Sequence, residues 1–439
     1  MRICRWEKMA GKDPVLDFCR LILTMSGKQE LAFSKNREKY SMDKACPTPE
    51  PFKAVLGSIV FLTLIFFLTF ISRFIFAPLM PTIGKELAIT HSQAGSVFFL
   101  GSVGVLIGSL ISGFISARIN HRGTLLLSTF CLSLSLLVCY FTGSLWAIRV
   151  IMFVLGMCAG LNLPSVVATI AAMVDRQDWG KAMAVQQIAP PLGLVSGPLV
   201  SVIFLTWFSW RGTLACIGLF CGIIAFAFYK YGKCGDFPGD APSPSLLKII
   251  LAGRSFWIMV VLLALGMGAQ VGIYAMLPLY LVTERGLDAE SANTILGISQ
   301  VSALFMTFFA GWVTDRIGEK RAIFLFLAAS GIATVLVGSL SGFWLKASVF
   351  LLPALAVCFF PPGFAALSRI VQPNMRSLAA ALAPPSAFIL GGGLLPAALG
   401  YMGQTHSFGL GIVLAGSIII LGSTLAFPLK LLEKMENGC

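Results

Sequence analysis

Apolar runs of about 18 residues or more, long enough to cross a hydrocarbon core as a helix, recur along nearly the whole chain. Twelve stand out: 55–80, 93–115, 124–143, 147–173, 182–206, 213–231, 256–281, 291–313, 322–340, 346–370, 378–401 and 408–429. Lipid offers no water to backbone N–H and C=O groups, so each run has to be a helix. The connections are mostly under ten residues, which leaves no room for an extramembrane domain. With 57% hydrophobic and 12% charged residues, a soluble fold is excluded. The expectation is an all-α membrane protein of twelve transmembrane helices.

A net charge of +13 invites nucleic acid as a partner, but the distribution argues against it. With a cytoplasmic N-terminus, 26 Lys and Arg fall on the cytoplasmic side and five on the other: Lys85, Arg149, Arg211, Arg285 and Lys346. That bias is the positive-inside rule, and it places both termini in the cytoplasm of a cell membrane, the inner membrane of a bacterium. The basicity is topological. Residues 1–51 read as a disordered cytoplasmic tail, with Met42 an alternative start and no small-residue cleavage site. Eleven cysteines without paired spacing argue against disulfides.

The chain repeats itself. GFISARINHRG (113–123) aligns without gaps to GWVTDRIGEKR (311–321) at an offset of 198 residues, and APP recurs at 189–191 and 383–385. Between the copies lies a Pro/Gly/Ser-rich connection, YGKCGDFPGDAPSPS, which reads as flexible. Two pseudo-symmetric six-helix bundles, 52–230 and 255–430, are therefore expected around a cytoplasmic linker, 231–254, with a short tail, 431–439.

GWVTDRIGEKR resembles the loop signature Gly-x-x-x-Asp-Arg-x-Gly-x-x-Arg of the major facilitator superfamily. The fifth-span motif Gly193, Gly197, Pro198 agrees with that family over about residues 52–430. The resemblance implies a rocker-switch transporter. It assigns gating roles to Gly311, Asp315, Arg316 and Arg321, to Gly113 and Arg118 in the first copy, and to the fifth-span motif. Asp315 is then expected to pair with Arg316 or a neighbouring helix; the blander reading makes the cations topology markers only. The first copy departs from the pattern, with Ala117 for the aspartate and Asn120 for a glycine.

Arg73 is the only charged residue between Val55 and Met80. An arginine at a helix centre costs about 2.5–3.5 kcal/mol on insertion scales, so it marks either a substrate site or a side chain snorkelling to the interface. Arg73 precedes Pro81 by eight residues, and Gln270 precedes Pro278 by eight. Organophosphate:phosphate antiporters, which the chain weakly resembles, carry arginines at both places; that resemblance implies that Arg73 and Gln270 face each other across a central cavity. One guanidinium fork suits a carboxylate. Tyr274, one turn from Gln270, is expected to give an aromatic wall or a hydroxyl; Asn162 and Gln300 are the other mid-span polar side chains assigned to the cavity, each equally well explained by an interhelical hydrogen bond.

All nineteen Asp and Glu fall in tails, loops or span ends, against a cationic-drug exporter. FAPLMPTI and Gln93 also resemble nitrate/nitrite porters, but the arginine of their second span is missing. A non-transporting membrane protein on the same fold is the other alternative. With no nucleotide loop, metal cluster or Ser/His/Asp arrangement, neither an enzyme nor a cofactor is expected. The expectation is a monomeric secondary transporter in the lipid bilayer, moving a small anion and binding no nucleic acid.

Overall fold

The computed structural model describes residues 52–431 apart from 176, 233, 240–243 and 373–374. The tails at 1–51 and 432–439 lie outside the described residues. Among the described residues, ten helices are long and apolar enough to cross a membrane. An eleventh span is bent by 41° where Ala289–Thr307 meets Phe309–Ile317. The helix His91–Cys139 has 49 residues, about 74 Å of helix, more than twice a hydrocarbon core of about 30 Å. It breaks at Asn120, and counted as two spans it makes the described residues consistent with the twelve expected.

Asn120 explains that break. Its backbone sits at φ 63°, ψ 168°, and Gly318, 198 residues later, sits at φ 82°, ψ 159°. Both loop copies turn through a conformation that is nearly reserved for glycine and costs other residues on the order of 1–3 kcal/mol. Asn120→Gly should therefore raise stability by about 1 kcal/mol, after the entropy of the added glycine is subtracted. A thermal unfolding midpoint in detergent that fails to rise would contradict this.

The first span, Val55–Glu86, runs past the end expected at Met80. It pauses at Ile75 and restarts as Phe76–Glu86. The restart puts Pro78 in a first turn, where no N–H bond is required, so only Pro81 removes one. The loops opposite the signature copies are short, and five of the helices they feed begin on capped residues: Thr90, Ser144, Ser209, Asp288 and Ser407. Gln93 completes a capping box with Thr90, which accounts for it without any substrate. The Ser291 N–H bonded to Asp288 holds that carboxyl below the usual carboxylate range.

Pseudo-symmetry reaches side-chain detail. Glu86 accepts from Trp210 Nε1 at 2.6 Å and pairs with Arg211, while Glu284, again 198 residues on, accepts from the N–H groups of Phe408 and Gly409. Each carboxylate ties the end of a half's first span to the start of its last.

The linker is partly ordered, contrary to its composition. The Phe237 carbonyl accepts from His121 N, the Gly235 carbonyl from Arg122 N, and Gly239 N donates to the Ser116 carbonyl. Arg122 also reaches Asp236 at 3.4 Å and the Tyr229 carbonyl at 2.9 Å. Residues 234–239 thus strap the first-half loop, and Asp236 brings a carboxylate to the copy whose own position is Ala117. Further on, Pro244–Ala252 is helical.

Candidate functional site

Arg73 lies 18 residues into the first span and 13 from its far end, roughly 27 Å and 20 Å along the helix. Its exposure is 7%. The guanidinium is therefore enclosed by protein rather than presented at the surface. Its partners are rings: the guanidinium carbon stands 5.5 Å from the Phe70 centroid, 5.3 Å from Phe74 and 5.4 Å from Phe388. Phe70 and Phe74 flank it on its own helix, and Phe388 comes from the eleventh span, Leu378–Thr405, in the other half. Nε is enclosed with no acceptor, and no carboxylate pairs with Arg73 among the described residues. Ring faces compensate part of the buried charge, but they leave the planar N–H edge without an acceptor.

Tyr274 links this cage to the other expected residues. It stands edge-on to Phe74 at 6.1 Å and lines a crevice of about 10 Å³ with Gln270 and Gln300, room for about one water. Gln270 Nε2 donates to Gln300 Oε1 at 3.4 Å, while Gln270 Oε1 is buried without a partner. The Tyr274 hydroxyl donates to the Leu194 carbonyl of the fifth span. Arg73 and Gln270 make no direct hydrogen bond. Asn162 stands apart from this group in its contacts: its Nδ2 donates to Ser128 on the third span, and its Oδ1 is unpartnered.

Close approach of the backbones holds the site together. A Cβ on Gly193 would stand 2.8 Å from Phe70 Cβ, and one on Gly197 would stand 3.4 Å from the Tyr274 hydroxyl. The motif ending in Pro198 thus seats the fifth span against the cage. Gln270 lies in a π-helical turn, Gly268–Gly272, and Phe388 directly precedes another, Ile389–Leu394. The two turns touch, since a Cβ on Gly272 would meet the Gly391 carbonyl at 2.2 Å. Such turns interrupt the regular ladder and re-aim side chains, often at functional sites. Sequence reasoning missed Phe388 and both turns; the triple glycine 391–393 was a signal that could have found them. The spacing of Phe70 and Phe74 around Arg73 was a second.

The halves are joined at the end opposite the signature loops. His91 Nδ1 lies 3.1 Å from the Gly403 carbonyl, Ser92 N donates to Gln404, and Asn293 donates to the Pro78 carbonyl and Ser201. At the signature end, the expected partnership of Asp315 is not made. Asp315 is exposed and has no ion-pair partner among the described residues, because Arg316 lies over the Trp312 ring at 4.1 Å and Arg369 pairs instead with Glu319. Arg118 and Arg321 are exposed, Gly113 accepts a bond from Ser116, and a Cβ on Gly311 would meet open space.

Relatives and folds agree with this architecture. The chain is 22% identical to a gallate transporter of Pseudomonas putida over 60% of its length and 66% of the relative's, so the match spans just under two thirds of that protein. It is 26% identical to a hexuronate transporter of Bacillus subtilis, over 62% and 67% of the two chains. It is 22% identical to the membrane sensor protein UhpC of Escherichia coli, over 68% and 72%. Among solved structures, a bacterial homologue of the human lysosomal transporter Spinster, inward-facing and occupied, superposes with a TM-score of 0.72 at 15% identity. That match covers 87% of this chain and 97% of the other. The Major Facilitator Superfamily model matches residues 62–383 and 273–437, well over half of the sequence, and the chain belongs to that superfamily.

Proposed function

We propose that the protein is a secondary transporter that moves a small organic carboxylate by alternating access, with Arg73 holding the carboxylate. The observation that carries this reading is a mid-span guanidinium, more than nine-tenths buried, that has ring faces around it and no acceptor at its N–H edge. A fork of that kind binds a carboxylate with two parallel hydrogen bonds. The gallate and hexuronate transporters among the relatives both carry carboxylates by name, and a single cation suits one better than a phosphate dianion. The membrane sensor among the relatives supports a second reading, in which the same site binds without transport.

The test is counterflow in proteoliposomes combined with thermal shift, across mono- and dicarboxylates, nitrate, sulfonates and phosphate esters. The reading expects a carboxylate to raise the unfolding midpoint and to exchange. Stabilisation without flux would favour the sensor. Nitrate or phosphate esters acting alone would remove the carboxylate.

The cation bias supports an inner-membrane orientation with the signature loops inside, and the joined far end then makes this conformer inward-facing. Cysteines introduced at 402–407 should react with an impermeant reagent from outside, and those at 235–239 should not. In the opposite state, Asp315 gains the partner it lacks here. Asp315→Asn removes that pair, worth about 1–3 kcal/mol if partly buried. Transport should fall several-fold at unchanged protein level, with lower labelling at 402–407. Wild-type transport and labelling would leave Asp315 a topology marker.

A further inference from the structure

The Arg73 cage draws aromatic rings from both halves, and this constrains what the carboxylate is attached to. Resting on the carboxylate reading and narrowing it, we infer that the site selects a flat aromatic monocarboxylate, with Phe70, Phe74 and Phe388 around its ring and Arg73 on its carboxylate. The names of the relatives do not decide this, since gallate has an aromatic ring and a hexuronate has none.

Three observations carry the inference. First, the guanidinium stands between 5.3 and 5.5 Å from all three centroids. Rings at that distance attract the cation through their own faces but accept no N–H bond, so its hydrogen-bonding edge is left for an in-plane acceptor. A purely structural arginine at this depth would have an acceptor, and Nε has none. Second, Tyr274 stands edge-on to Phe74 and extends the aromatic wall towards the Gln270 crevice. An aromatic ligand gains edge-to-face and offset contacts with such walls beyond the burial that a saturated ring of equal size obtains. Phe388 belongs to the second half and Phe70 and Phe74 to the first, so a ligand held at Arg73 meets rings from both halves.

Third, the other polar side chains named at the site, Gln270, Gln300 and Tyr274, are neutral. A second carboxylate would be buried without a cation, which is unfavourable however well the rings fit. Dicarboxylates are therefore rejected.

Benzoate and cyclohexanecarboxylate separate these ideas, because they share the carboxylate and nearly the same size and differ in the π face. Titration calorimetry on the purified full-length protein should give benzoate about ten-fold tighter binding, since two or three ring contacts at a few-fold each compound to that ratio. Phthalate should bind more weakly than benzoate. Phe388→Leu should cut the benzoate preference by a few-fold, and Phe388→Tyr, which keeps a ring, should retain it; Phe70→Leu provides a second test should Phe388→Leu misfold. Equal wild-type affinities, or an undiminished preference in a folded Phe388→Leu protein, overturn the aromatic selectivity and leave the carboxylate reading standing. Tight phthalate binding overturns the monocarboxylate restriction. Binding of nitrate or phosphate ester with neither acid bound overturns both readings.

Discussion

Arg73→Gln should abolish transport and, at the same time, leave the protein folded and more stable than the wild type. The two effects share one cause. Arg73 is buried mid-span with no acceptor for its Nε. Insertion scales put the penalty for such a charge at about 2.5–3.5 kcal/mol, of which the three ring faces return a part. A neutral side chain removes the remainder, and an unfolding midpoint raised by the equivalent of about 1–2 kcal/mol is expected. The anion loses its only cation, worth about 2–5 kcal/mol for a buried hydrogen-bonded charge pair, or roughly 30- to several-thousand-fold in affinity. A residue kept for the fold would behave in the opposite way, with lower stability and transport lost only in proportion.

Arg73→Lys separates charge from shape. The ammonium keeps the charge but cannot form the planar fork or stack its face on Phe70, Phe74 and Phe388, so affinity should fall by about ten-fold or more. Unaltered affinity for every anion tested would refute the substrate-site reading. The exchange Arg73→Gln with Gln270→Arg is a harder test. Gln270 bonds Gln300 and shares Tyr274 with the cage, so a guanidinium there keeps one cation near the crevice but without the three rings. Partial recovery over Arg73→Gln would place both positions in one site. The recovered protein should also have lost its preference for an aromatic acid.

How much of this could be read without coordinates depended on the range of the physics. Twelve spans follow from apolar length alone, and the two halves from an internal repeat, because the bilayer imposes both constraints residue by residue. Arg73 announced itself for the same reason: one charge in an apolar span is visible as a local anomaly. Its cage was not visible, since Phe388 reaches it across the halves and a phenylalanine in an apolar span attracts no notice. Arg73 and Gln270, expected to face each other across a cavity, make no hydrogen bond; Tyr274 touches Phe74 and lines the crevice with Gln270. Asp315 was expected in an ion pair that this conformer does not make, because a sequence carries all states of a gate and a structure one of them. The linker's composition pointed to flexibility; the backbone bonds of residues 235–239 to Ser116, His121 and Arg122 depend on a docking surface that composition cannot report.

The backbone crossing of the second and fourth spans should tolerate no side chain, and Gly156→Leu should prevent folding. Association of helices in lipid relies on close packing rather than on a hydrophobic gain. A Cβ at Gly156 would stand 2.0 Å from the Gly101 carbonyl, one at Gly104 2.1 Å from the Phe153 carbonyl, and one at Gly160 2.3 Å from the Val105 carbonyl. These neighbours are backbone, so neither helix yields by turning a rotamer; the helices must separate, and the contacts along the whole crossing go with them. Overpacking by a single methyl costs about 1–3 kcal/mol where side chains can adjust. Here Gly156→Ala should reach the top of that range, and leucine should exceed the 5–15 kcal/mol that holds an ordinary domain together less by its own volume than by the separation it forces. Gly57 is the control: it lies in the first span with nothing within 4 Å of an added Cβ, and Gly57→Ala should be neutral or stabilising by up to about 1 kcal/mol. Size-exclusion profiles and unfolding midpoints in detergent distinguish the two sites. A monodisperse Gly156→Leu protein with a wild-type midpoint would mean that the second and fourth spans do not meet at this crossing, and the first-half bundle that carries Arg73 would have to be packed differently.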